Sequence, residues 1–309
     1  MLMKKLRMAG PIALLLIAMA CEKENEVESL QPVDDSPIFM TLPTTVQSNG
    51  RQATSAQYAV LSAQYFTTGE SGQVGRTVYF KDVGNKQLEE DFVPGLSLDG
   101  TDGISYYIDE TRPSDDLPVA VSTAAINRAM QTWEDVNCSD LGLFRVPSDP
   151  GTPTGFVAAL FGFGGSLEYV ADLVHAGWLP GAFFDLLAPD GSEFILGVTF
   201  TIIFTDEVGN PVDTDNNGKI DVAWREIYYN DAFPWADGSD YDVETIALHE
   251  SGHGLSQGHF GKAFRTNSNN KLHFAPRAVM NAAYSGIQTE INGTDKGGHC
   301  SNWANWPNN

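Results

Sequence analysis

Histidine, cysteine and positive charge are all scarce in this chain of 309 residues. It has six histidines, three cysteines, and 18 Lys and Arg against 40 Asp and Glu, for a formal net charge of -22. So acidic a surface repels phosphate backbones and excludes nucleic acid as a partner. It suits a soluble exported protein, or one that collects divalent cations. Long apolar runs are missing too. The stretch from Met8 to Ala20 is well short of the ~20 residues a membrane-spanning helix needs, so no transmembrane anchor is expected. There is no internal repeat and no low-complexity block. "FGFGGSLEYV" holds glycines but opens no helix, so it is not a phosphate loop. At 42% hydrophobic residues the chain has enough apolar material for a real core, which excludes wholesale disorder.

The N-terminus reads as an export signal: Lys4, Lys5 and Arg7 precede the apolar stretch, which ends in Ala18-Met19-Ala20-Cys21. Small residues before a lone cysteine resemble a bacterial lipobox, although Ala18 stands where leucine is usual. The resemblance implies lipidation of Cys21 and anchoring at the outer membrane or cell surface. A plain secretory signal, leaving a secreted protein, is the alternative. "EKENE" after Cys21 resembles the acidic tether of Bacteroidetes-type surface lipoproteins. The remaining cysteines, Cys138 and Cys300, suit one disulfide across a long loop in an oxidising compartment; two buried thiols are the other reading.

The expected organisation is a signal peptide over 1–21, a polar flexible tether over 22–55, an N-terminal segment over 56–100 and a continuous domain over 101–309. A short strand is predicted at Thr77 to Phe80. Ser122 is placed to cap a helix running to about Val136, because Ile126, Met130 and Trp133 recur at helical spacing. "EFILGVTFTIIFT" (193–205) reads as a buried strand and "REIYYN" (225–230) as another, at a sheet edge. "DVETIALHESGHG" has helical spacing, with Asp242 and Glu244 at its favourable N-terminal end. Together these elements predict an α+β layer fold.

The densest chemistry is in "HESGHGLSQGHF" (249–260). His249 and His253, four apart on one helix face, can aim two imidazoles at a single ion. His259 cannot share that face, so the helix has to end and the chain turn back for a third nitrogen to arrive. Gly252, Gly254 and Gly258 fit such a break. Three neutral histidines leave a fourth zinc position open, the mark of a catalytic site. Glu250, on the adjacent face, is placed to take a proton from a water that zinc has acidified.

His249-Glu250-x-x-His253 with His259 six residues on resembles the zinc signature of the metzincin metalloproteases. Met280 in "APRAVMNAAY" resembles that clan's Met-turn, a hydrophobic base beneath the metal that does not ligate it. "VMNAAY", with Tyr284 four residues after Met280, is most similar to the matrixin branch, where this stretch walls a substrate pocket. The resemblance covers roughly residues 100 to 290. It implies a zincin-like domain: a mixed twisted sheet, a long first helix, a zinc-site helix and an irregular C-terminal subdomain. Several positions depart from it. Ser256 replaces a glycine at the turn, where a left-handed backbone costs a non-glycine residue about 1 kcal/mol. Phe260 stands where serine is usual, and Ala282 where proline is. No "PRCG"-like cysteine switch precedes the domain.

In "DTDNNGKID" (213–221), Asp213, Asp215, Asn217 and Asp221 alternate around Gly218. Such oxygens suit calcium, yet the twelfth position of an EF-hand loop would be Trp224, and an Asp-Asn-Gly turn gives the same pattern without an ion. His175 and His273 are expected as packing residues and His299 as tail. The expected activity is that of a monomeric zinc endopeptidase, one catalytic Zn2+ per chain, acting on protein or peptide substrates with Glu250 as general base. A catalytically silent surface-binding lipoprotein and a zinc amidase acting on cell-wall peptides are the alternatives.

Overall fold

A computed structural model of the chain describes residues 40–42, 57–69, 87–265 and 272–308. Cys21, most of the expected tether and the strand predicted at Thr77 to Phe80 lie outside them. Four strands come first: β1 (Met40–Leu42), β2 (Gln57–Thr67), β3 (Glu90–Asp91) and β4 (Ile104–Ile108). Helix α1 (Val119–Glu134), β5 (Leu143–Arg145), α2 (Phe156–Leu160), β6 (Leu173–Leu179) and α3 (Gly181–Phe184) follow. The second half runs through β7 (Ile195–Thr205), β8 (Ile220–Asn230), β9 (Trp235–Ala236), β10 (Tyr241–Asp242) and α4 (Val243–Gly254). It closes with β11 (Lys262–Arg265), β12 (Leu272–Ala275) and α5 (Gly293–Trp303).

The fold is α+β. Its main sheet has the order β1-β2-β7-β8-β6-β4-β5, with β3 added beside the start of β8. Strands β8, β6, β4 and β5 are parallel, whereas β7 runs antiparallel to β8, and β2 antiparallel to β7. Both faces of the sheet are covered, which is why β6 and β7 are buried along their length rather than on alternate residues. On one face, Ile104, Leu173, Ile227 and Tyr229 pack against Ile126, Met130 and Trp133 of α1 and Ile246 and Leu248 of α4. On the other, Val174, Phe200, Trp224 and Tyr228 pack against Phe156, Phe183 and Phe184 around α2 and α3.

Three expectations need correction. Helix α1 starts at Val119 after Pro118, and Ser122 lies within it, its hydroxyl donating to the Val119 carbonyl (3.0 Å). Proline suits the position before the first turn because a missing N–H costs nothing there. "REIYYN" belongs to β8, which is paired on both sides, by β7 and β6, and is no edge. Its alternating look comes from two different apolar layers, not from one wet face. Residues 57–69 are not a separate segment: β2 is a long strand of the main sheet, and it pairs with Met40–Leu42 inside the expected tether.

Among the described residues, no helix is long and apolar enough to cross a membrane. Cys138, just after α1, and Cys300 in α5 form a disulfide that ties the C-terminal helix to the first one.

Candidate metal centre

Helix α4 is capped by Asp242, whose carboxylate accepts from the Thr245 backbone N–H (2.8 Å), and Glu244 sits in its first turn. Both place negative charge at the positive end of the helix dipole. The helix is buried on nearly every side, with His249, Glu250 and His253 all 0% exposed. Trp133 of α1 donates its indole N–H to the Leu248 carbonyl (2.9 Å) and fixes the two helices together.

After His253 the helix ends abruptly. Ser256 adopts a left-handed backbone (φ 65°), its N–H donates to His253 O (2.9 Å), and Gln257 N–H donates to Gly252 O (3.0 Å). This pair of bonds is the Schellman arrangement, normally built on glycine. Serine is tolerated because its hydroxyl is used: Arg225 of β8, fully buried, donates Nη1 to Ser256 Oγ (2.8 Å) and to Gly254 O (3.0 Å). The same guanidinium donates to Thr201 Oγ1 and Glu90 O and lies over the Phe92 ring. Burial lowers its pKa to about 10, which still leaves it charged at neutral pH beside the negative end of the helix. Sequence reading missed Arg225, because its role comes from strand-to-helix contact and not from local spacing.

The turn delivers His259. The three Nε2 atoms converge, 3.1 Å between His249 and His253 and 3.0 Å from each to His259. His249 Nδ1 meets the Val279 carbonyl (2.6 Å) and His253 Nδ1 the Gln257 carbonyl (2.7 Å). A carbonyl can only accept, so each Nδ1 carries the proton and each Nε2 presents a lone pair. Two lone pairs cannot bond to each other; a cation among them resolves the conflict. Tetrahedral zinc with bonds of about 2.0–2.1 Å asks for nitrogens about 3.3 Å apart, close to what is seen. Burial, and the neighbouring imidazoles after it, hold His249 and His253 well below the usual histidine pKa, keeping both neutral as a metal requires. The described residues therefore fit a metal ion at His249, His253 and His259.

Glu250 lies beside this cluster. Its Oε2 accepts from the Thr199 hydroxyl (2.6 Å), while Oε1 is buried with no hydrogen-bond partner. Burial raises its pKa well above the normal carboxylate range, with the Thr199 bond opposing. Gly197 of β7 makes room for it: a Cβ there would stand 2.9 Å from Oε1.

Met280 is fully buried against α4, where a Cβ on Gly252 would overlap its thioether. The Val279–Met280 turn is held by Asp295 of α5, whose two carboxylate oxygens accept from the N–H groups of Val279 (3.1 Å) and Met280 (3.2 Å). Asp295 also completes a capping box with Asn292. That double use was not legible locally, although "NGTD" is a recognisable helix start. Tyr284 flanks the centre, its hydroxyl donating to Asp240 O and its N–H to Thr67 O (2.7 Å).

Elsewhere, Asp213, Asp215 and Asp221 bring carboxylate oxygens within 4.8 Å of one another. Asn217 does not add its oxygen freely, since Oδ1 accepts from Lys219 N–H (2.8 Å). Asp213 accepts from the Asn217 and Gly218 N–H groups, and Asp215 from the Asn217 N–H two residues on, the bond of an Asx turn, whereas Asp221 Oδ1 is buried and unpartnered. His175 is fully buried and its Nδ1 meets the Tyr229 hydroxyl (2.8 Å), while His273 sits half-buried on β12. His299, expected as tail, is buried in α5 and stacked on Trp133. Compared with known proteins, the chain matches no protein-family model and no curated protein.

Proposed function

We propose that this protein is a zinc-dependent endopeptidase of the metzincin type, most similar to the matrixin branch, with a zincin-like domain. The observation that carries the proposal is a buried set of three converging imidazole Nε2 atoms beside a carboxylate oxygen left without a partner. Zinc held there would supply Lewis-acid chemistry, polarising a scissile carbonyl and acidifying water. The remaining work belongs to the chain. Thr199 fixes one oxygen of Glu250 and leaves Oε1 to take a proton from an attacking water. Its raised proton affinity lets it hold that proton and pass it to the leaving amine. The Val279 and Gln257 carbonyls hold two imidazoles in the tautomer that ligates. Met280 and Gly252 pack the floor so that the ligands cannot drop away. A pure metal binder has no use for a buried carboxylate with one oxygen unpartnered, which is costly to keep without a task.

Calcium at Asp213, Asp215 and Asp221, export, lipidation of Cys21 and a monomeric state complete the proposal. Glu250→Ala is expected to retain about one zinc per chain while peptidase activity on a diverse peptide library falls at least ~10²-fold. His253→Ala is expected to lose both metal and activity. Zinc-loaded protein that cleaves no peptide in any processed form would overturn the reading, in favour of a binder or an amidase.

A further inference from the structure

Strand β7 flanks the metal centre, and an extended peptide can add to such a flank only if it is an open edge. It is not open. Strand β2 pairs antiparallel along it, with Gln64 opposite Thr199 and Phe66 opposite Gly197, the two residues of β7 that touch Glu250. The pairing slips between Phe66 and Thr67. Thr67 forms a parallel bridge with Ala283 and accepts from Tyr284 N–H (2.7 Å), and Thr68 N–H donates to Phe194 O (2.9 Å). The Phe66 ring lies flat on His249, centroids 3.9 Å apart. Residues 64–68 thus thread between β7 and the segment 282–284, and the three histidines and Glu250 are at most 1% exposed beneath them. The imidazoles are closed off from solvent with this span in place.

Resting on the endopeptidase reading, we infer that residues 64–68 are a built-in occupant of the peptide cleft and hold the enzyme latent without any cysteine. The occupant lies with its backbone antiparallel to β7 and parallel to 282–284, and this is the path an extended peptide substrate takes once it leaves. The first half of β2 plays another part. Tyr58 and Val60 are set in the second core layer and this half also pairs with β1, so it stays anchored while the end, which carries Tyr65 of the same layer, leaves the cleft. A strand whose one end is fixed and whose other end covers the reactive groups gives a closed state that opens without unfolding the domain.

The test uses the full-length, zinc-loaded chain, its intact mass verified, against a Phe66→Ala/Thr68→Pro variant. The first change removes the ring from His249, and the second removes the N–H donated to Phe194. Binding of a short peptide hydroxamate is followed by calorimetry, and peptide cleavage is followed in parallel. If only a small open fraction binds, apparent affinity scales with that fraction. The variant is expected to bind the hydroxamate at least ~10-fold more tightly and to cleave at least ~10-fold faster. Should the double variant fail to fold, Phe66→Ala alone, which keeps every backbone pair, is expected to show a smaller rise in both. Equal binding and cleavage by intact wild type and a folded variant, or no hydroxamate binding by either, would overturn the inference. Tighter binding by the variant with no cleavage would uphold the latch and refute the endopeptidase reading. Wild-type cleavage at the variant's rate would do the reverse.

Discussion

Ser256 offers a direct measurement of how the helix-ending turn is held. Its left-handed backbone costs on the order of 1 kcal/mol relative to glycine. Against that stands the bond from buried Arg225 Nη1 to its hydroxyl, at 2.8 Å. A hydrogen bond to a charged group contributes about 1.5–3 kcal/mol. The lower end applies here, because Nη1 also reaches Gly254 O and is not left unpaired. Ser256→Ala keeps the backbone cost and loses the bond, so a loss of about 1.5 kcal/mol is expected. Ser256→Gly loses the same bond but relieves the backbone, so a loss of only about 0.5 kcal/mol is expected. Urea denaturation of the chelated proteins, with equal m-values, gives the comparison free of metal. The decisive quantity is the gap of about 1 kcal/mol between glycine and alanine, since both lack the hydroxyl. If alanine is as stable as glycine, the turn is not left-handed at this residue. If glycine exceeds wild type, the Arg225 bond contributes less than the ~1 kcal/mol of backbone relief. Zinc competition should follow the same order, because the turn sets the Gln257 carbonyl on His253 and carries His259 to the site.

The remaining predictions address pH, calcium and anchoring. His175 is buried neutral with its pKa lowered to about 3, by burial first and Arg145 second, against 6.5 when unfolded. The unfolded chain therefore takes up a proton that the folded one refuses as pH falls from 6.5 toward 3. Stability drops by ~1.4 kcal/mol per unit, or roughly 2 kcal/mol at pH 5. His175→Phe should be less stable at pH 8, losing the Tyr229 bond, yet decline less steeply with acid by about one proton; parallel pH profiles would refute this assignment. Calcium at 100 times its dissociation constant should raise the stability of wild type by about 2.7 kcal/mol and leave Asp213→Ala/Asp215→Ala unmoved. A wild-type melting temperature indifferent to calcium would reduce the loop to an Asx turn. Cys21→Ser should move the protein from membrane to soluble fractions, and unchanged membrane retention would remove the lipid anchor.

The chemistry of the centre was legible in the sequence because it is local. Four-residue spacing on one helix face, the need for a break after His253 and the carboxylate beside the first ligand all follow from helix geometry and donor chemistry. The left-handed backbone of Ser256 was instead an expectation of the metzincin resemblance, which places a glycine there. Strand identity was legible where apolar runs were long, as in β7. Strand position was not, because hydrophobic pattern reports burial and not which neighbour provides it. That is why β8 was expected at an edge and lies in the middle. Arg225 on the helix end, Thr199 on Glu250, Asp295 under the Val279–Met280 turn and Phe66 on His249 all join residues distant in sequence. No local periodicity encodes such pairs; they exist only once the sheet order has put β2 beside β7 and β8 beneath α4. The sequence by itself thus determined what the centre can bind. The tertiary structure decided how the ligands are held, and that a strand of the chain's own lies across them.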